Sequence, residues 1–259
     1  MFQPPSLSRI ILIARNKTKN VLIITGILVL AIAMTYWALR PSNPDFNVFD
    51  AGPERKQAFF SYLLPIIQQR NQVILETRQQ IKQWKQERNN LGWWDQLQVQ
   101  NVAEEYRMES FDIESDADWN TLLRRVDIVP PSLALAQAAN ESAWGASRFA
   151  QEGYNYYGQW CFKKGCGMIP DNRADRKRHE VAVFDSTEAS VDSYMHNLNS
   201  HSAYKPLRDI REKLQATQIP VTGLALTEGL SNYSELGNQY IEELRSMIRF
   251  NDLAHYDTL

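Results

Sequence analysis

Apolar residues recur at helical spacing along most of the chain. In residues 54–90 they follow one another at intervals of three, four and seven, while Gln, Arg, Lys and Glu occupy the opposite face. This spacing predicts a long amphipathic helix, within which Pro65 would introduce a kink or begin the main part. A membrane-proximal stalk and a dimerising helix are alternatives, but we interpret the segment as packing on the rest of its domain. Its apolar positions are Phe59, Phe60, Leu63, Leu64, Ile67, Ile74, Ile81 and Trp84.

The same period predicts further helices, and one stretch follows a different period. Residues 179–184 alternate between polar and apolar side chains, as a half-buried strand does. They end a charge-rich stretch, residues 168–185, that we predict to form a small β-hairpin lobe between helices. The predicted fold class is therefore α+β and predominantly helical. Helical spacing covers residues 93–107, 116–126, 131–144, 186–198, 210–214 and 238–250.

A segment without charged residues lies near the amino end of the chain. Residues 21–39 are mostly apolar, and a helix of this length, at about 1.5 Å per residue, nearly spans a hydrocarbon core of about 30 Å. Lys and Arg precede the segment, so the positive-inside rule keeps the amino end in the cytoplasm and exports the rest. We predict a retained transmembrane anchor. A cleaved signal peptide is the alternative, because residues 31–33 have the small-residue pattern of a cleavage site.

These segments divide the chain into five parts. We predict a basic cytoplasmic segment at 1–20, the anchor at 21–39, a linker at 40–53, the helical stalk or packing region at 54–110, and a larger domain at 111–259. The formal net charge of −2 provides no excess of basic residues for nucleic acid, so no nucleic-acid partner is expected.

The two cysteines of the chain lie close together. Four residues, one of them glycine, separate Cys161 from Cys166, which is compatible with a small disulfide loop or with two free thiols. Export would permit the disulfide. We expect no metal, because none of the four histidines lies near the cysteines at the spacing of a zinc site.

One carboxylic acid has a setting that favours chemistry. Glu141 follows the small-residue run Ala134–Ala139 on the predicted helix, near its buried face, and Trp144 and Gly145 follow it. Packing against Ala and Trp removes water from the carboxylate, which should raise its pKa and leave a proton available for general-acid catalysis. The alternative is an ordinary surface glutamate.

A run of aromatic and amide residues follows the acid. Residues 154–160 read Tyr-Asn-Tyr-Tyr-Gly-Gln-Trp, which is too polar for a simple core strand. Some of the rings should pack inside the domain. Others would offer flat faces on which pyranose rings stack, and our candidates for substrate binding are Tyr154, Asn155, Tyr157 and Trp160.

Four stretches together resemble a known family. They are the run Ala-Gln-Ala-Ala-Asn-Glu-Ser-Ala-Trp-Gly-Ala-Ser ending at Ser147, Tyr-Asn-Tyr-Tyr-Gly at 154–158, Val-Phe-Asp-Ser-Thr-Glu-Ala at 183–189, and Asn232-Tyr233. The chain is similar over roughly residues 115–255 to the glucosaminidase family of bacterial cell-wall hydrolases, and within it to the Bax-like proteins.

This resemblance implies a fold and an activity. The fold would be lysozyme-like, with an α-lobe, a small β-lobe and a groove between them. The activity would be cleavage of the β-1,4 bond on the reducing side of N-acetylglucosamine in peptidoglycan, without a cofactor. By the same resemblance Glu141 is the general acid, Glu180 a second acid, and Tyr233 a residue near the cleavage point, while Tyr154 and Asn155 lie on the cleft wall.

Two other functions stay open at this stage. One is a lytic transglycosylase or muramidase of the same superfold, and the other is a membrane-anchored scaffold that binds the wall without cutting it. The expected partners are peptidoglycan strands and the inner membrane, which places the catalytic domain in the periplasm of a bacterium. The second catalytic group could be Glu180 activating water, a carboxylate nucleophile, or the N-acetyl oxygen of the substrate.

Overall fold

The chain divides into two compact units in a computed structural model, residues 1–42 and residues 43–259. The structure describes residues 23–32, 34, 35, 43–170, 179–234 and 236–257. In the first unit, residues 23–32, 34 and 35 are helical, and the remainder of the predicted anchor lies outside the described residues. Within the described ranges, no helix combines the length and the hydropathy needed to cross a bilayer.

The second unit is mostly helical. Five helices precede a small sheet: α1 Pro53–Gln86, α2 Trp93–Glu105, α3 Asp116–Arg125, α4 Pro131–Glu141 and α5 Arg148–Gly153. The strands are β1 Trp160–Cys161, β2 Gly167–Met168 and β3 Glu180–Ala182, and after them come α6 Thr187–Ser200, α7 Lys205–Ala216, α8 Gly223–Leu226 and α9 Asn238–Phe250. Single 3-10 turns are Phe46–Val48, Arg88–Asn90, Ser202–Tyr204, Thr227–Leu230 and Leu253–Asp257.

The sheet has three antiparallel strands in the order β1-β3-β2. Trp160 pairs with Val181 on one side of β3, and Met168 pairs with the same residue on the other side. A β-lobe was predicted at 168–185, but β1 was not, because its two residues belong to the aromatic run and acquire strand geometry only by pairing with β3. Residues 171–178 of the predicted hairpin lie outside the described residues.

Helix α1 lies along the core of the second unit, with one face buried and the other exposed. It continues through Pro65 as one helix of 34 residues, so this proline neither begins nor ends it. The apolar face of α1 packs against α4 and α6, and its side chains belong to the same hydrophobic core as those of α4. Phe59, Leu63 and Ile67 are fully buried. In this structure α1 therefore packs against the other helices of the second unit.

The first part of α1 supports the turn that follows α4. Phe59 and Phe60 pack edge-on against Trp144, with ring centroids 5.9 and 5.3 Å apart. Phe46 closes the other side of this turn, since a Cβ on Gly145 would lie 2.3 Å from the Phe46 ring. The backbone at Gly145 has φ of +73°, a conformation that favours glycine. Residues far upstream thus shape the turn that carries Glu141.

Buried arginines join α1, α3 and α7 at the opposite end of the core. Arg211 donates to the carbonyls of Arg124 and Ile128 at 2.8 and 2.6 Å, and Asp127 lies 3.8 Å from its Nε. Arg78 reaches the same carboxylate from α1 at 3.4 Å. Burial lowers the pKa of Arg211 to about 10, which still leaves it charged at neutral pH. Carbonyl groups in the last turn of a helix have no N–H group of the same helix to accept from, and these bonds satisfy those at the end of α3.

Candidate active site

Glu141 is the last residue of α4, and the chain turns sharply after it. Ala143 and Trp144 have φ of +51° and +61°, so the helix ends three residues earlier than the sequence spacing predicts. Ser142 stabilises the turn by donating to the carbonyl of Ala138 at 2.6 Å and accepting from the Gly145 N–H at 2.7 Å. The glutamate is consequently held at the edge of the core, partly buried.

A chain of hydrogen bonds leads from the core to Glu141. Tyr194 donates to Oε1 of Gln137 at 2.6 Å, Nε2 of Gln137 donates to the Tyr240 hydroxyl at 3.0 Å, and Tyr240 donates to Oε1 of Glu141 at 2.8 Å. The Gln137 amide determines the direction in which these hydrogen bonds are donated. Because its oxygen accepts from Tyr194, its NH₂ group must face Tyr240, and Tyr240 is left to donate its own proton to Glu141.

This direction determines where the acid carries its proton. Oε1 of Glu141 accepts from Tyr240, so a protonated carboxyl has its hydrogen on Oε2. Oε2 faces the backbone of Gly158, where an added Cβ would come within 3.2 Å. The absence of a side chain at Gly158 leaves room beside the oxygen that would donate.

Burial raises the pKa of Glu141 above its ordinary value, because the anion loses water. The hydrogen bonds from Tyr240 and Asn140 oppose this by stabilising the anion, and the charge of nearby Glu243 adds to the rise. The net direction is upward. A carboxyl with this shift retains its proton to a higher pH, as a general acid requires.

Stacked tyrosines surround the acid. The ring of Tyr233 lies parallel to that of Tyr240, with centroids 5.5 Å apart, and the ring of Tyr157 lies parallel to that of Tyr194 at 3.8 Å. Tyr233 donates to the carbonyl of Tyr157 at 2.9 Å, which links the two pairs. Burial raises the pKa of both Tyr233 and Tyr240, so these hydroxyls stay neutral.

Two of the predicted substrate-binding residues are buried. Asn155 donates to the carbonyls of Gln159 and Ala182 at 2.8 and 2.9 Å and accepts from the Gln159 N–H at 2.9 Å. Its amide therefore fixes the aromatic loop to β3. The amide is not free to bind a sugar, as the prediction that Asn155 lies on a cleft wall would require. Tyr157 is also buried, stacked on Tyr194, so its ring faces are not available to a sugar.

The other two predicted residues lie nearer the surface. Trp160 is 51% exposed on β1, and its ring stacks on His179 with centroids 3.6 Å apart. This contact holds the indole flat while a large part of it stays accessible. Tyr154 is partly buried, and it ends α5 in the left-handed conformation with φ of +50°.

Glu180 is buried on β3 and holds the loop between β1 and β2. Its two carboxylate oxygens accept the N–H groups of Gly165 and Gly167 at 3.0 and 2.9 Å. Cys161 and Cys166 close the same loop with a disulfide, so their sulfurs are not metal ligands although they lie close to Glu180. Among the described contacts, none joins Glu180 to Glu141.

Comparison with known proteins decides the family. The sequence profile of the glucosaminidase family, described as mannosyl-glycoprotein endo-beta-N-acetylglucosaminidase, matches residues 116–253. The chain belongs to the glucosaminidase family. It is also 32% identical over 213 residues to Protein bax of Escherichia coli strain K12, a match that covers 81% of this chain and 74% of that protein.

A solved structure shares a weaker likeness with this glucosaminidase. The catalytic domain of the autolysin Auto from Listeria monocytogenes is 19% identical, with a TM-score of 0.44, over 81% of this chain and 91% of that domain. The family profile and the 32% identical relative confirm the family resemblance, and the structure itself shows a mostly helical fold with a small sheet. Membership of the family makes the protein a glycoside hydrolase of the type that acts on peptidoglycan.

Sequence reasoning missed two residues of the glucosaminidase site, Gln137 and Tyr240. Gln137 precedes Glu141 by four residues on α4, so its place on the same helix face was available as a signal. Tyr240 occupies an apolar position of α9 and is expected from spacing only to pack there. Its hydroxyl contacts Glu141 from 99 residues away, which spacing along one helix cannot reveal.

Proposed function

We propose that the chain cleaves the β-1,4 bond after N-acetylglucosamine in peptidoglycan strands, with Glu141 as the general acid. The observation that supports this best is the Glu141 carboxyl itself: partly buried, raised in pKa, and oriented by the Tyr240 hydroxyl at 2.8 Å. Protonated Oε2 would transfer its proton to the glycosidic oxygen as the bond to the anomeric carbon breaks. Tyr240 then stabilises the carboxylate that is left.

The positive charge that develops on the sugar needs a partner on its opposite face. Both oxygens of Glu180 already accept backbone N–H groups, which supports the N-acetyl oxygen of the substrate as the nucleophile in preference to water activated by Glu180. The Tyr233 hydroxyl donates to a carbonyl, so its lone pairs can accept the N–H of that acetamido group. This oxygen would bond to the anomeric carbon as the bond to the leaving sugar breaks. Water would then open the resulting ring and give its proton to the Glu141 carboxylate, so the reaction would retain the anomeric configuration.

Two features would place this reaction on a polymer outside the cytoplasm. The anchor predicted at residues 21–39 would hold the catalytic unit at the periplasmic face of the inner membrane. The disulfide between Cys161 and Cys166 suits an oxidising compartment.

Trp160 on the β-lobe offers an accessible aromatic face for a sugar ring.

The test is to incubate the full chain with intact peptidoglycan, reduce the new chain ends with borohydride and identify them by mass spectrometry. We expect reduced N-acetylglucosamine ends, and we expect none with Glu141→Gln. A high-mannose glycoprotein in a parallel reaction checks the substrate that the family description names. Glycan release there, with intact peptidoglycan, would replace the proposed substrate.

The chain ends also distinguish the alternative functions. Reduced or anhydro muramic acid ends would assign the protein to the muramidases or lytic transglycosylases. Intact strands after incubation with folded protein would favour a binding scaffold. Proton NMR of the first product from a soluble oligosaccharide gives its anomer, and an inverted product would exclude the N-acetyl group as nucleophile.

A further inference from the structure

A groove begins beside Glu141 and runs along α9 towards α1. It consists of two adjoining cavities of about 660 and 590 Å³, which share Lys56, Phe250 and Asn251 as lining residues. Both volumes lie in the range of about 300–1,000 Å³ that is usual for ligand sites. Neither Trp160 nor any other residue of the sheet lines them, so the groove is separate from the β-lobe.

The first cavity lies beside Glu141, which is not itself one of its lining residues. Asn140 lines the first cavity, and its Nδ2 lies 3.5 Å from Oε1 of Glu141. Glu243 lines the same cavity, and its charge contributes to the raised pKa of Glu141. The first cavity is therefore one side chain away from the carboxyl, close enough for a polymer bound at Glu141 to extend towards it.

Aromatic rings and one ammonium group form the middle of the groove. Phe250 is 82% exposed at the end of α9, and Trp144 lies on the turn after Glu141. The ammonium of Lys56 lies 4.8 Å from the centroid of each of these rings and donates to Asn251 at 3.2 Å. These partners are all uncharged, so the positive charge of Lys56 is not neutralised by them.

The charge of the groove changes along its length. Glu243 lies at the cavity next to Glu141 and has no cationic partner among the described residues, whereas Glu242 beside it pairs with Arg245 at 2.7 Å. Lys56 lies where the two cavities meet. An anionic group of a bound polymer would be repelled from the first end and attracted to Lys56. Lys56 and its α1 neighbours precede residue 116, where the family match begins, so this end of the groove lies outside the family domain.

We propose that this groove binds the continuation of a carboxylate-bearing glycan strand, with Phe250 and Trp144 against sugar rings and Lys56 paired with a carboxylate of the strand. The proposal rests on the proposed function only for the identity of the polymer. The stem peptides on muramic acid carry such carboxylates, and the lactyl group exposes one where the peptide has been removed, whereas a strand of N-acetylglucosamine alone carries none. The groove would thus bind long strands that carry carboxylates in preference to short or uncharged ones.

Binding measured on the inactive Glu141→Gln protein tests the groove independently of cleavage. Purified peptidoglycan strands and N-acetylglucosamine oligomers of equal length are titrated against this protein and against double variants. Adding Phe250→Ala should weaken binding of both polymers about tenfold, or about 1.4 kcal/mol. Adding Lys56→Gln should weaken binding of the peptidoglycan strand alone, about threefold to fivefold, as an exposed ion pair predicts.

Matched controls are available elsewhere on the surface. Trp93→Ala removes another exposed aromatic ring, on α2, and Lys82→Gln removes another exposed lysine of α1, and both should leave affinity unchanged. Melting temperatures of all variants report folding. If the Phe250→Ala and Trp93→Ala proteins bind the strand with equal affinity, the proposal that the groove binds it is wrong. If Lys56→Gln lowers the affinity for both polymers equally, the groove has no preference for carboxylates. A wild-type protein that binds strands but releases no ends would overturn the proposed reaction and not the groove.

Discussion

Tyr240 donates its hydroxyl proton to Glu141, and Gln137 in turn donates to Tyr240, so the acid is oriented by a helix that lies 99 residues further along the chain. The hydrogen bond from Tyr240 has two opposing effects on the Glu141 carboxyl. The bond stabilises the glutamate anion and so limits the rise of its pKa, but it also fixes which oxygen carries the proton.

The first prediction concerns this bond. In Tyr240→Phe the anion of Glu141 loses its donor, so the pKa of Glu141 rises further. A general acid is active while protonated, and therefore the alkaline limb of the kcat profile should move to higher pH. The amide of Gln137 loses its acceptor, which costs about 1–3 kcal/mol of stability. The pH dependence of kcat and the melting temperature measure both effects, with Tyr106→Phe as the control for a buried tyrosine away from the site.

The second prediction is that Glu141 destabilises the protein at neutral pH. Because burial raises the pKa of Glu141, the folded state binds more protons than the unfolded state between the ordinary carboxyl pKa, about 4.3, and the raised value. Stability must fall as pH rises through that window. Glu141→Gln removes the ionisation and should raise the melting temperature at pH 7. Calorimetry at pH 7 and below pH 4 should show a gain only at the higher pH.

The third prediction uses two glycines with similar backbone geometry. Gly158 and Gly165 have φ of +62° and +79°, so alanine at either is strained by about 1–2 kcal/mol. Only at Gly158 would the new methyl group approach Oε2 of Glu141, at 3.2 Å, whereas a Cβ at Gly165 has no atom within 4 Å. Gly158→Ala should lower kcat at least tenfold, and Gly165→Ala should lower stability alone. Equal activity of the two variants would show that the space beside Oε2 is not needed.

The fourth prediction concerns Glu180. Its carboxylate accepts two N–H groups of the disulfide loop, and a glutamine would present its NH₂ group to one of these donors. Glu180→Gln should loosen the loop and lower the melting temperature, while kcat falls less than tenfold.

Cys161→Ser with Cys166→Ser is the matched change in the same loop, with an expected loss of about 2 kcal/mol. Denaturant unfolding and steady-state kinetics compare the two proteins. A loss of turnover in Glu180→Gln as large as in Glu141→Gln, with the loop intact by hydrogen exchange, would restore Glu180 as the second acid.

The sequence was most informative where one local pattern determined the outcome. Small residues at helical spacing placed Glu141 at the end of a buried helix, and the period of α1 predicted its buried face. It was least informative where distant segments meet. Tyr240 and Gln137 form their bond only after folding, and the two residues of β1 become a strand only beside β3.

Polar residues in the aromatic run illustrate a second limit. Asn155 has the side chain of a sugar ligand, and nothing in its neighbours shows that its amide instead binds the backbone of Gln159 and Ala182. Trp160, five residues later, is exposed. The sequence names the groups that can bind, but burial decides which of them face solvent.

The packing of α1 against later parts of the chain has a consequence during synthesis. The helix leaves the ribosome before α4 and α6, the elements that cover its apolar face. Phe59 and Phe60 meet Trp144 only after more than 80 further residues have been made, and an exposed apolar face of this kind promotes aggregation of nascent chains. Since Tyr240 orients the Glu141 carboxyl from α9, the acid acquires its environment only after residue 240 has been made. A hydrolase assembled in this order stays inactive for most of its own production.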